Sequence, residues 1–201
     1  MSHTQSHSEA HVAIQAQNDA KTIFGFWVYL MTDCILFATL FATYAVLHNG
    51  TYGGPSGKEI FHLPYVLAQT LLLLISSFTC GLGFLAAPFH DKTKVMFWLA
   101  ITFLLGAGFL GLELNEFIKL FQEGNSWKRS AFLSSFFTLV GTHGMHITFG
   151  LLWTIVLVGQ ICVKGFTAPV LRRITCFTLY WHFLDVVWIF IFTIVYLMGA
   201  K

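Results

Sequence analysis

Five stretches of this chain are too apolar and too long to fold anywhere but across a membrane. They run over about 23–47, 63–87, 95–121, 131–161 and 174–198. A helix rises about 1.5 Å per residue and the hydrocarbon core is about 30 Å thick, so each stretch covers the distance. With no water at that depth, every backbone N–H must be bonded within its own segment, which favours helices. The expected fold class is therefore all-α: a polytopic membrane protein built as a bundle of five transmembrane helices. Composition agrees, since 56% of residues are hydrophobic and only 10% charged, outside the range of ordinary soluble domains. A formal net charge of +2 is too small and too scattered for a nucleic-acid surface, and no nucleic-acid partner is expected. Cys34, Cys80, Cys162 and Cys176 lie in or beside apolar segments without a CxxC pair, and read as small buried hydrophobes.

The segments between the spans carry little chemistry. Residues 1–22 form a polar tail with His3, His7 and His11 among Ser, Gln and Glu. Such a segment has almost nothing to bury, so disorder is expected, with weak metal chelation by the histidines as the other reading. No cleavable signal peptide is expected, because the tail is polar and a full span follows it. The loop from Asn49 to Lys58 faintly suggests a phosphate loop, but Tyr52 stands in place of the first glycine and Glu59 in place of Ser or Thr. It reads as a turn. The second span opens on Pro64 and stops at Pro88 before Asp91-Lys92-Thr93-Lys94; apart from Gln69 it shows few polar groups of note, so much of its surface is expected to face lipid. In the third span, Gly106-Ala107-Gly108-Phe109-Leu110-Gly111 matches the dinucleotide fingerprint letter for letter. It lies mid-helix with no preceding strand, so close helix packing by small residues explains it better. Five spans place the termini on opposite sides. Lys21, Lys92, Lys94, Lys164, Arg172 and Arg173 flank the N-terminal side, against Lys58, Lys119, Lys128, Arg129 and Lys201, which favours a cytoplasmic N-terminus.

The informative residues are the ionisable ones inside the spans. Glu113 with Glu116, His143 with His146, and His182 with Asp185 are each one helical turn apart, and Asp33 stands alone. Groups of this kind in lipid-spanning helices face the bundle interior and mark function or pairing. Counting 1.5 Å per residue puts Asp33, His182 and Asp185 at about 12 to 17 Å depth, where they could meet. The same count leaves a contact between Glu113 and His143 open. Three readings follow. Hydrogen bonds between helices, each contributing about 0.6 to 2 kcal/mol, would fix the bundle. A metal or haem site would use the HxxH and ExxE donors, although the Glu-x-x-His pattern of di-iron bundles is missing. A proton relay would make the chain a self-contained transporter, for which five spans leave little aqueous room. No Ser/His/Asp or Cys/His nucleophile arrangement is supported by spacing, and no catalytic, cofactor-binding or metal-ligating set is assigned.

At these residues the chain resembles subunit III of the haem-copper terminal oxidases. Trp181-His182-Phe183-Leu184-Asp185-Val186-Val187-Trp188 is similar to that family's last-helix motif, and His143-Gly144-Met145-His146 to its other signature. Glu116 falls where the family has a glutamate before the signature helix. Asp33, in Met31-Thr32-Asp33-Cys34-Ile35-Leu36-Phe37, falls where many members have glutamate; it keeps the carboxylate and is one methylene shorter. The resemblance covers about Phe24 to Gly199, and five spans rather than seven place it nearest the bacterial ubiquinol oxidases of cytochrome bo type. It implies a non-catalytic subunit that binds no redox centre and lies against the large haem-copper subunit I, with subunits II and IV in the same complex, in the bacterial cytoplasmic membrane. The N-terminus is then cytoplasmic and the C-terminus periplasmic. Haem and copper are expected on subunit I, which in this branch also carries the family's first two helices. Phospholipid between helix groups and support of sustained proton uptake by subunit I are implied in the same way.

Overall fold

The structure, a computed structural model, describes the backbone of residues 2–48, 50–51, 63–89 and 91–199, with side chains from Gln17 onward except those of residues 18 and 19. Five helices carry the fold: α1 Ser2–Leu47, α2 Leu63–Ala86, α3 Lys92–Gln122, α4 Ala131–Lys164 and α5 Ala168–Ile191. The segments Ala20–Leu47, Leu63–Phe89, Lys92–Gln122, Ala131–Lys164 and Ala168–Leu197 are each long and apolar enough to cross a membrane. The all-α, five-span architecture is thus the observed one. Helices α3 and α5 begin at Lys92 and Ala168, ahead of the apolar stretches at 95 and 174. Asp91 caps α3 by accepting from the Lys94 N–H, and Pro169 occupies the first turn of α5. Most of the loop expected at 49–58 and the histidines at 3, 7 and 11 lie outside the described backbone or side chains.

Helical backbone runs unbroken from Ser2 into the first span. No Gly or Pro precedes Gly25, and Ala10, Ala13, Ala16 and Ala20 are strong helix formers, so nothing local stops a helix once the membrane span has nucleated it.

Helices α4 and α5 form the axis of the bundle. α1 packs on both of them, while α2 packs on α5 and α3 on α4, with α2 and α3 forming an extended antiparallel hairpin. The core is aromatic. Trp181 and Trp188, two turns apart on α5, are fully buried. Trp181 donates its indole N–H to Ser76 Oγ (3.1 Å), and its ring fills space that Gly106 on α3 and Gly150 on α4 leave open. A Cβ at those two glycines would stand 2.8 and 2.7 Å from the ring. The small-residue reading of the Gly106 string therefore holds at Gly106, whereas a Cβ at Gly108 or Gly111 would meet nothing within 4 Å. Trp188 donates to Thr70 Oγ1 (3.0 Å) and meets Phe109 edge to face at 4.6 Å.

α5 does not end as an ordinary helix. Phe192–Leu197 forms a π-helical turn. Such turns widen the hydrogen-bond ladder, and here the Tyr44 hydroxyl from α1 donates to the Val195 carbonyl (3.4 Å).

Candidate functional site

The seven ionisable residues inside the spans separate into three groups rather than one. The first joins α1 to α4. Asp33 is 7% exposed and His146 8%, and His146 Nε2 stands 3.9 Å from Asp33 Oδ2. The other ring nitrogen, Nδ1, lies 2.7 Å from the Thr142 carbonyl. A carbonyl only accepts, so Nδ1 carries the proton and Nε2 of the neutral ring presents a lone pair to the carboxyl. Attraction across that gap requires one further proton, on the ring or on the carboxyl. The pair is closed in by Phe37, 5.2 Å from His146, and by Tyr180, whose hydroxyl donates to the His146 carbonyl (2.9 Å).

The second group lies between α2, α3, α4 and the π-helical turn. Glu116 Oε2 accepts from Gln69 Nε2 (3.2 Å) and from the Tyr196 hydroxyl (3.4 Å). Glu113 is 1% exposed and its carboxyl lies against Gly144: a Cβ there would stand 2.5 Å from Glu113 Oε1. The glycine inside the His143-Gly144-Met145-His146 string is what admits a carboxyl to the α3–α4 interface. His143 itself is fully buried and donates from Nε2 to the Leu184 carbonyl (3.2 Å), with Trp188 and Phe109 rings at 5.1 and 5.8 Å. Glu113 Oε2, Gln69 Oε1 and His143 Nδ1 have no hydrogen-bond partner among the described residues.

The third group is the pair that depth counting placed with Asp33. The structure puts it elsewhere. His182 and Asp185 turn toward α2, where Ser77 stands by the Asp185 carboxyl and Gly81 lies beneath the His182 ring. Asp33 meets His146 and Tyr180 instead. Likewise no hydrogen bond links Glu113 to His143 among the described residues, since the carboxyl faces the next residue of α4. Among the described residues no three His, Cys, Asp or Glu side chains are grouped so that they could hold one metal ion.

Expected to face lipid over much of its surface, α2 does expose Leu67, Leu71, Ile75, Phe78 and Leu85, but sequence reasoning missed its other face, which buries Val66, Gln69, Thr70, Leu73, Ser76, Ser77 and Cys80. These positions follow the a/d spacing of a packed helix, and the polar members at that spacing were the available signal.

A family model, cytochrome c oxidase subunit III, matches residues 7–200. The chain belongs to that family. It is 58% identical over 194 residues to cytochrome bo(3) ubiquinol oxidase subunit 3 of Pseudomonas aeruginosa, covering 96% of this chain and 90% of that protein. It is 48% identical over 200 residues to quinol oxidase subunit 3 of Bacillus spizizenii (99% of this chain, 98% of the other). It is 49% identical over 175 residues to cytochrome c oxidase subunit 3 of Bacillus sp. strain PS3 (87% and 84%).

For a subunit III chain the geometry above has a simple consequence. Several of the intramembrane polar groups make contacts between its own helices: Asp33 with His146 from α1 to α4, Glu116 with Gln69 from α3 to α2, Glu113 against Gly144 from α3 to α4, and His143 to the Leu184 carbonyl from α4 to α5. The bo-type resemblance drawn from the Tyr180–Trp188 and His143–His146 strings agrees with these relatives.

Proposed function

We propose that this chain is the non-catalytic subunit III of a bacterial haem-copper ubiquinol oxidase, stabilising the catalytic subunit while the complex oxidises quinol, reduces oxygen and pumps protons. The observation that carries the reading is the 58% identity to a cytochrome bo(3) ubiquinol oxidase subunit 3 over nearly the whole chain. The structure supports it physically. Asp33, Glu113, Glu116, His143 and His146 all lie at contacts between helices. A relay across the membrane is less well supported, because the Asp33–His146 pair and the Glu113–Glu116 pair are separate groups with aromatic side chains, Phe37 and Phe109 among them, packed around His143 and His146.

In this reading haem and copper reside on subunit I, which this chain contacts directly, and subunits II and IV complete the complex. Membrane lipid, phospholipid included, is the other neighbour. The complex lies in the cytoplasmic membrane with the N-terminus of this chain cytoplasmic and its C-terminus periplasmic, as the flanking cations favour.

Purification in mild detergent through a tag on this chain should bring down a haem-bearing subunit, visible in the optical spectrum. Recovery of the chain loaded with haem or metal, and without such a partner, would refute the proposal. Reconstituted alone in proteoliposomes, the chain should support no proton or solute flux; flux would restore the transporter reading.

A further inference from the structure

We propose that the α2–α5 seam at His182 and Asp185 is a docking surface for a transmembrane helix of another subunit, one that brings an N–H or O–H donor side chain to the middle of the membrane. The inference rests on the subunit III reading and names the surface that reading requires.

His182 lies midway between Ala168 and Leu197, the ends of its span, so the ring is about 20 Å from either end. It is nevertheless exposed on the surface of the bundle. Lysine and arginine at such a depth can extend toward the headgroups, but an imidazole is too short to do so. Other exposed polar side chains in the spans avoid the problem. Thr32, Thr39, Thr43, Thr138 and Thr193 each turn the hydroxyl back to a carbonyl three or four residues earlier on the same helix. His182 satisfies only half of its ring in that way, Nδ1 donating to the Thr178 carbonyl at 2.8 Å. Nε2 is then an acceptor, held over Gly81 in ordinary contact and open on its outer side.

Asp185 supplies the second, independent observation. The residue is 8% exposed, and its Oδ1 has no hydrogen-bond partner among the described residues although Ser77 reaches the carboxyl. The ring nitrogen at the surface is complementary to a donor and to nothing a lipid tail offers, and the unpartnered carboxyl oxygen one turn on lies buried beneath it. Val186 and Ile189 on α5, and Leu74 and Phe78 on α2, give the seam exposed apolar side chains against which a helix can pack. A second copy of this chain would bring a second pair of acceptors to the same place, which argues for a different polypeptide.

The test uses the full chain co-expressed with the other oxidase subunits. A photoreactive amino acid replaces Val186 in the seam or, as control, Leu104 on the exposed side of α3, and the membranes are irradiated before solubilisation. The expected result is a covalent adduct between the Val186 position and another subunit of the complex, with little from Leu104. In parallel, His182→Phe, which keeps an aromatic ring over Gly81 and removes the acceptor, should lower the haem retained per chain in mild detergent by about 3- to 30-fold. Adducts from Val186 to lipid alone or to a second copy, or His182→Phe retention equal to the parent, would overturn the inference while leaving the subunit III reading intact if the unmodified chain still brings down a haem-bearing subunit. If the unmodified chain brings down none, both fall.

Discussion

Glycine 144 shows how one missing methyl group shapes a buried polar site. It allows a carboxyl, which is costly to bury, to lie flat on the α3–α4 interface at a position where any larger residue would collide with it. Gly144→Ala should therefore lower stability by about 1–3 kcal/mol, the usual cost of overpacking a filled site. Unfolding in mixed micelles by SDS would measure it. Because the clash is with Glu113 itself, Gly144→Ala combined with Glu113→Ala should cost less than the sum of the two single changes. Simple additivity would show that the strain lies elsewhere. The same residue-scale logic applies to the histidines. His143, His146 and His182 each have one ring nitrogen bound to a backbone carbonyl, so each has a defined tautomer, and what distinguishes them is the second nitrogen: buried at His143, facing Asp33 at His146, without a bonded partner among the described residues at His182.

At the scale of helices, the bundle is keyed by Trp181 sitting between two glycines. Gly106→Ala should force α3 away from that ring and cost about 1–3 kcal/mol. Gly108→Ala, whose Cβ would meet nothing, should be neutral or stabilising by up to about 1 kcal/mol from helix propensity. Thermal inactivation of the two variants side by side distinguishes them; equal loss would count against the wedge. The start of α3 offers a pH-dependent case outside the membrane. Asp91 is held below the usual carboxylate range by its hydrogen bond to the Lys94 side chain, and the Lys94 N–H adds to this. A depressed folded-state pKa stabilises above the unfolded value of about 3.9 and loses that contribution as pH falls through the folded value. Fraying of the first turn of α3, read by amide exchange at Lys94 and Val95, should thus rise only below about pH 4 and be pH-independent in Asp91→Ala. That the chain is all-α with five apolar helices was legible in the sequence, because hydropathy along the chain reports height in the membrane. Rotation about each helix axis was not. Asp33 and His182 do lie at similar heights, yet one points from α1 to α4 and the other from α5 past α2. The α2 stripe from Val66 to Cys80 was readable in principle, since its polar members keep the packing period, but they looked sparse when counted without that period.

For the whole molecule, what matters is that most ionisable groups close contacts inside the bundle and one pair does not. Asp33 with His146, and Glu116 with Gln69 and Tyr196, link the chain's own helices. Among the described residues, His182 is exposed at mid-membrane depth with one ring nitrogen unfilled, above the buried Asp185 carboxyl. The two kinds of site should therefore fail differently in the complete oxidase. Asp33→Asn disturbs an internal contact and should lower the thermal stability of the subunit, with near-normal quinol oxidase turnover in complexes that assemble. His182→Ala should reduce the fraction of complexes that assemble or survive detergent, again with near-normal initial turnover in those that do. Initial rate per haem separates these outcomes from loss of assembly. An immediate drop in rate per haem for Asp33→Asn in fully assembled complex would mean that the Asp33 carboxyl takes part in the reaction, and the purely supporting role would be lost.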